Sequence, residues 1–292
     1  MKKAGFIIAA VFLIYACSNN ERGDNYTSDM QTSDENSSSE NELTIYSIPS
    51  PIMVAQALKL YGVNFNKEAI EPTGKKSEEY ISVYSKAMNL GVSIADLGYV
   101  SAFNQTQLSI NFVQRIDNLL TELGIQNRES IFAMERFKQN IAVPDSIDNM
   151  IIEFQNKLDG YYVDEEANDV ALLSVFGIYV EGLYLVLESY NEVIDRKMIS
   201  GRTSMVNGFK NLLMQQDVYI DNIGTLLEPY RKEESKEIFS NIDRIKVQFK
   251  ALKITYDVDE KTNKIININY KKDEVPKLKA LIKEVRKYII NA

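Results

Sequence analysis

Val170-Ala171-Leu172-Leu173-Ser174-Val175-Phe176-Gly177-Ile178-Tyr179-Val180-Glu181-Gly182-Leu183-Tyr184-Leu185-Val186-Leu187 carries one charge, Glu181, and the rest is almost wholly apolar. Two readings compete for it. As a transmembrane helix it has nearly enough residues to cross hydrocarbon, which takes about 20. Its flanks argue otherwise. Asp164, Glu165, Glu166 and Asp169 precede it, and no basic cluster borders it to set an orientation. A mid-membrane Glu181 would also cost several kcal/mol. A helix apolar on every side is better explained as the central helix of a bundle, wrapped by its neighbours.

The chain around it reads as amphipathic helices, each with its own start, stripe and stop. Ser50-Pro51 supplies an N-cap and a proline at the first helical position, and Gly62 ends that helix after Leu58 and Tyr61. A second helix is expected from about Ser77 to Leu90, with Tyr80, Val83, Tyr84, Ala87 and Met88 on one face; Gly91 either stops it or marks a close-packing point. Leu108, Phe112, Ile116, Leu119 and Leu123 keep a three-to-four spacing up to Gly124. Ile131, Met134, Phe137 and Ile141 make a short stripe before Pro144, and Asp145 can cap a helix carrying Ile147 to Leu158.

The clearest periodicity is Val206, Phe209, Leu213, Gln216, Ile220, Ile223 and Leu227, stepping alternately by three and four. It resumes after Pro229 as Ile238, Ile242, Ile245, Phe249 and Leu252. A short Glu228–Arg231 connection between two such stripes predicts an antiparallel, coiled-coil-like helical hairpin. Ile254, Tyr256 and Val258, then Ile266, Ile268 and Tyr270, alternate with polar residues around a turn at Glu260 to Asn263, the pattern of a two-stranded β-hairpin. Asp273 is then expected to cap a last helix through Leu278, Leu281, Ile282, Val285 and Ile289. The fold class is all-α: a multi-helix bundle with a long antiparallel helical hairpin and one small β-hairpin near the C-terminus.

Composition removes most chemistry. The 292 residues have a net charge of −8, a single Cys, and neither His nor Trp. Without His there is no Ser-His-Asp or Cys-His site, no His zinc site and no haem His ligand. One Cys excludes a Cys-rich metal site and an intrachain disulfide. No cofactor is implied, no metal is expected, and the acidic balance argues against nucleic acid as a partner. Carboxylate, Tyr, Lys and Ser chemistry remains.

The N-terminus carries an address. Lys2 and Lys3 precede an uncharged stretch from Ala4 to Ala16, too short to span a bilayer and suited to a signal-peptide core. Ile14-Tyr15-Ala16-Cys17 resembles the lipobox of bacterial lipoproteins, with an aliphatic at −3, a small residue at −1 and then the modified Cys. That resemblance covers residues 1 to about 20. It implies cleavage of the signal peptide 1–16 and acylation of Cys17 by fatty acids such as palmitate. Ser18 after the Cys implies sorting to an outer membrane. Residues 17–43 hold seven acids and one Arg among Ser, Asn and Thr, so after the lipidated Cys they read as a disordered acidic tether, leaving 44–292 as the helical domain. The partner implied is the membrane, through the lipid anchor, with an envelope protein as a further possible partner. The body resembles the helical domains of uncharacterised envelope lipoproteins.

Two residues stand out as candidates for ligand binding. Glu181 lies on the most apolar helix, and Asp96 lies in the similar stretch Leu90-Gly91-Val92-Ser93-Ile94-Ala95-Asp96-Leu97-Gly98-Tyr99. Gly91-Val92-x-Ile94 aligns with Gly177-Ile178-x-Val180, as two halves of an old duplication would, packing through Gly91, Ala95, Gly177 and Gly182. A buried acid without a partner has a raised pKa and is poised for proton transfer or ligand binding. The commoner outcome is a carboxylate bonded to a nearby polar group. Glu181, Glu188 and Glu192 resemble a di-iron carboxylate face but lack the His such sites need. Lys277, Lys279, Lys283, Arg286 and Lys287 make the last helix cationic, which usually means a solvated face. The function expected is that of a non-enzymatic binding or scaffold module on the envelope. Its rival is a small-ligand or carboxylate-dependent enzyme site between the Asp96 and Glu181 helices.

Overall fold

Three helix ends close in the same way. The structure, a computed structural model, describes residues 50–70, 79–125, 168–195, 203–262 and 264–292, all within the unit formed by residues 39–292. Helix α1 (Pro51–Leu60), α2 (Val83–Ala102) and α3 (Thr106–Glu122) each finish with a residue of positive φ: Gly62, Asn104 and Gly124. In each, the next two backbone N–H groups return to the last turn, Gly62 to Lys59 and Val63 to Leu58 being the first pair. This Schellman closure satisfies carbonyls that the helix leaves open. Gly62 and Gly124 are the stops expected from the sequence. Asn104, whose short side chain tolerates the left-handed region, takes the same role where no glycine is available. Ser50 and Pro51 sit where the N-cap reading puts them, but the Ser50 hydroxyl makes no capping bond.

Helix α2 corrects the expected Ser77–Leu90 element. Its cap is Ser82, whose Oγ accepts from the Ser85 N–H, and it runs unbroken past Gly91 and Gly98 to Ala102. Gly91 is a packing point. Helix α2 lies against α4 (Asn168–Glu188), the apolar stretch, and the two run parallel: Ser174 Oγ donates to the Ala87 carbonyl, while Asp96 meets Glu181 further along. At the crossing a Cβ on Gly91 would collide with the Ser174 carbonyl oxygen, and one on Gly177 with that of Met88. Only hydrogen fits there, so the backbones approach as closely as Cα–H···O contacts allow. Gly182 is no part of this crossing; a Cβ there would only touch Val54 of α1.

The stretch Val170–Asp195 is long and apolar enough to cross a membrane, yet its most apolar part is 89% buried within this fold. Its wrappers are α1, α2, α7 and α9. Ser189 interrupts the helix before the short α5 (Tyr190–Asp195), its Oγ donating to the Leu185 carbonyl.

The seam Val206 to Leu227 is buried at every position, as is Ile238 to Leu252. Its first limb is broken into α6 (Thr203–Met214) and α7 (Gln216–Leu227). The cause is the one polar seam residue. The Gln216 side chain donates to the Leu212 carbonyl and competes with the backbone there, while the Gln216 carbonyl accepts from Tyr179. Two 3-10 turns, Glu228–Tyr230 and Glu233–Ser235, lead back into α8 (Lys236–Ala251). Lys246 pairs with Asp221, and Gly224 faces Ile242, so α7 and α8 run antiparallel.

Strands β1 (Thr255–Asp259) and β2 (Lys264–Asn269) form the expected antiparallel hairpin, with Tyr256 opposite Ile268 and a register shift after Asp257. A lone hairpin is marginal and needs support. Ile268 is buried, and α6 holds the outer edge of β2, Asn207 donating to the Ile266 carbonyl and Lys210 to that of Ile268.

Helix α9 (Val275–Asn291) enters from a 3-10 turn at Lys272–Glu274 with Pro276 in its first turn; no side chain caps it, which corrects the role given to Asp273. Its far end is better held. Asn89 Nδ2 donates to the Ile289 carbonyl and Tyr80 to that of Ile290, while Arg115 Nη2 donates to the Tyr80 hydroxyl. The signal peptide, Cys17, the tether, and the helices expected over 131–141 and 145–158 lie outside the described residues.

Candidate functional site

The Gly91–Gly177 crossing sets the distance between α2 and α4, and the two acids meet a little over one turn beyond it. Asp96 and Glu181 are both 0% exposed, with their carboxyl groups within hydrogen-bonding range of each other. The sequence singled out both residues, and the fold brings them together.

A third residue completes the cluster. Arg286 of α9 donates from Nε to Glu181 Oε2 at 2.6 Å and from Nη2 to the Ala69 carbonyl at 3.4 Å. Its guanidinium also lies over the Tyr184 ring, 4.3 Å from the centroid, a favourable cation–π placement. Burial opposes the charge on Arg286, but Glu181, Asp96 and Tyr184 together outweigh it and the guanidinium stays firmly protonated. The reading of Arg286 as part of a solvated cationic face is therefore corrected. A signal was present: Arg286 stands four residues after Ile282 and three before Ile289, inside the apolar stripe of its own helix.

Three lysines of that basic run are also engaged. Lys279 and Lys283 both reach Glu188, at 3.2 and 2.9 Å, and Lys277 pairs with Glu274. Glu192 accepts from the backbone and side chain of Asn64. The Glu181–Glu188–Glu192 face is thus an ion-pairing and hydrogen-bonding surface. Among the described residues no group of three or more acids or thiols is arranged to hold a metal.

The two acids differ. Burial pushes the Asp96 carboxyl well above the usual carboxylate range, and the neighbouring Glu181 pushes it further; Arg286 and Arg115 pull back without reversing the shift. Burial also raises Glu181, and its direct bond to Arg286 opposes that rise. The bond from Arg286 favours the ionised form at Glu181, while Asp96 makes no such bond among the described residues. Tyr184 is pushed up to about 12, chiefly by burial. The arrangement can store a proton and fix a cation. No protein-family model, curated protein or solved structure matches the chain.

An open groove of about 870 Å³ lies between α8 and α9, and none of its lining residues belongs to this cluster. Its lining carries four cations, Arg231, Lys236, Arg244 and Lys277, and two acids, Asp243 and Glu284, with Arg244 paired to Glu284 across it. Asn89 and Arg115 are not singled out by the sequence; Asn89 ties α2 to the Ile289 carbonyl of α9, and Arg115 ties α3 to the Tyr80 hydroxyl. Asn89 lies seven residues before Asp96 on the polar stripe of α2, a spacing that could have marked it.

Proposed function

We propose that this chain is a lipid-anchored lipoprotein of the bacterial outer membrane whose helical body is a non-enzymatic binding or scaffold module. The observation that carries the second half is the state of its best catalytic candidates: Asp96 and Glu181 are enclosed and committed to each other and to Arg286. An acid–base pair that no substrate can reach serves the fold first. The first half rests on Cys17, the only Cys of the chain, standing at the lipobox position after a signal-like stretch. Cys17→Ala is expected to leave the body folded, to abolish acyl labelling and to release the protein from the membrane fraction. Persistent labelling on that variant would refute the anchor. Cross-linking in cells followed by affinity capture should return a specific envelope partner, and a chain recovered alone at every cross-linker length would count against the scaffold.

The alternative, a small-ligand or carboxylate-dependent enzyme site between α2 and α4, is favoured by one observation, the meeting of the two acids. It predicts that Glu181→Gln abolishes a measurable turnover or ligand affinity while the body remains folded.

A further inference from the structure

We propose that Asp96 and Glu181 form a buried proton-binding site, one proton shared by two carboxyl groups opposite a single guanidinium, and that this proton latches α9 onto α2 and α4. The argument begins with unsatisfied atoms. Asp96 Oδ1, Asp96 Oδ2 and Glu181 Oε1 are buried with no hydrogen-bond donor, while Glu181 Oε2 is taken by Arg286. Two bare carboxylates have only acceptors to offer each other, and in a dry interior such groups are seldom left unmatched. A proton on Asp96, donated to Glu181, supplies the missing donor. It also balances the charge: a neutral Asp96, an ionised Glu181 and a protonated Arg286 sum to zero, whereas an ionised Asp96 leaves a surplus negative charge in the core.

The charged and titratable neighbours come from each element around the pair. Helix α2 contributes Asp96 and Tyr99. Helix α3 contributes Arg115, which is bonded to the Tyr80 hydroxyl and adds its field. Helix α4 contributes Glu181, Tyr184 and the more distant Glu188, and α9 contributes Arg286. Burial dominates at Asp96 against both arginines, which supports the same assignment.

The native state therefore holds a proton that an unfolded Asp96 gives up near its ordinary pKa of about 4. Wherever the folded protein binds more protons, stability falls as pH rises. The loss begins as pH passes the unfolded value of about 4 and levels off once pH has passed the raised pKa of the folded site. Helix α9 is the element that yields, because Arg286 is its charged tie to the pair. Moving it outward admits water to both acids.

The test uses the full chain and Asp96→Asn, in which the amide keeps the shape and donates to Glu181 without a proton to lose. The urea midpoint of the parent, compared with that of Asp96→Asn, should fall as pH rises above about 4, and Asp96→Asn should be at least as stable as the parent at pH 8. Hydrogen exchange in α9, corrected for the intrinsic rate, should accelerate roughly tenfold more than in α3 over that range, and only in the parent. Equal slopes in the two proteins, or uniform exchange in both helices, would overturn the proposal. Should Asp96→Asn fail to fold, infrared spectroscopy of the parent decides. A protonated carboxyl band at neutral pH is expected, and its absence refutes the site.

Discussion

Gly91→Ala adds one methyl group at the place where the fold has least room. The new Cβ would stand at least about 1 Å closer to the Ser174 carbonyl oxygen than real contacts allow, and the Ile178 N–H nitrogen would be only 2.8 Å away. Both obstacles are backbone, so no side chain can swing aside, and α2 and α4 must separate by about that distance. A gap of 0.5–1 Å forfeits roughly a quarter to a half of each dispersion contact it opens. Here it opens beside a helix buried at nearly every position from Ser85 to Ala102. Overpacking ordinarily costs about 1–3 kcal/mol; with rigid backbone on both sides, about 3–5 kcal/mol is expected, a large share of a typical domain's stability. Urea denaturation followed by far-ultraviolet circular dichroism measures it. Gly177→Ala, pressing on the Met88 carbonyl in the same crossing, should cost a similar amount. The double variant should cost far less than the sum, because one separation accommodates both methyl groups. A loss below about 1 kcal/mol for Gly91→Ala, or strict additivity, would refute the reasoning.

Arg286→Met removes the only cation that, among the described residues, is bonded to the buried acids, and should destabilise the protein by about 3–5 kcal/mol. With Arg286 gone both acids rise, so the deficit should be deeper at pH 8 than at pH 5 in denaturant titrations. Lys253 is exposed and holds a φ of 50° at the end of α8. Lys253→Gly removes that strain and should gain about 0.5–1 kcal/mol, read as a higher urea midpoint.

The apolar and polar periodicities carried the helices, the seam residues and the β-hairpin, because burial acts on each residue according to its face. They did not distinguish a glycine that ends a helix from one that lets two helices touch. Gly62 and Gly91 have the same local appearance, and only the partner backbone at Ser174 separates their roles. Asn104 and Lys253 adopt left-handed conformations for the sake of chain direction, which is set by tertiary packing. Gln216 was visible as a polar seam residue, but the bend beside it depends on its amide reaching Leu212 and on Tyr179 reaching its carbonyl. Asp96 and Glu181 were found as acids in apolar surroundings. Their neutralising partner was missed because Arg286 lies 105 residues beyond Glu181 and was counted with the solvated cations around it.

The position of α9 has a consequence for the order in which the fold can assemble. Asn89 is bonded to a carbonyl 200 residues later and Tyr80 to one 210 residues later. Helices α2 and α4 run parallel, so the chain between them must travel back before they can pair. Helical proteins usually fold quickly because their contacts are local, and long-range closure removes that advantage. The acids of α2 and α4 stay partly uncovered until the seventeen-residue α9 arrives to seal them. Its folding should be slow for a helical domain, with a late step that waits for α9.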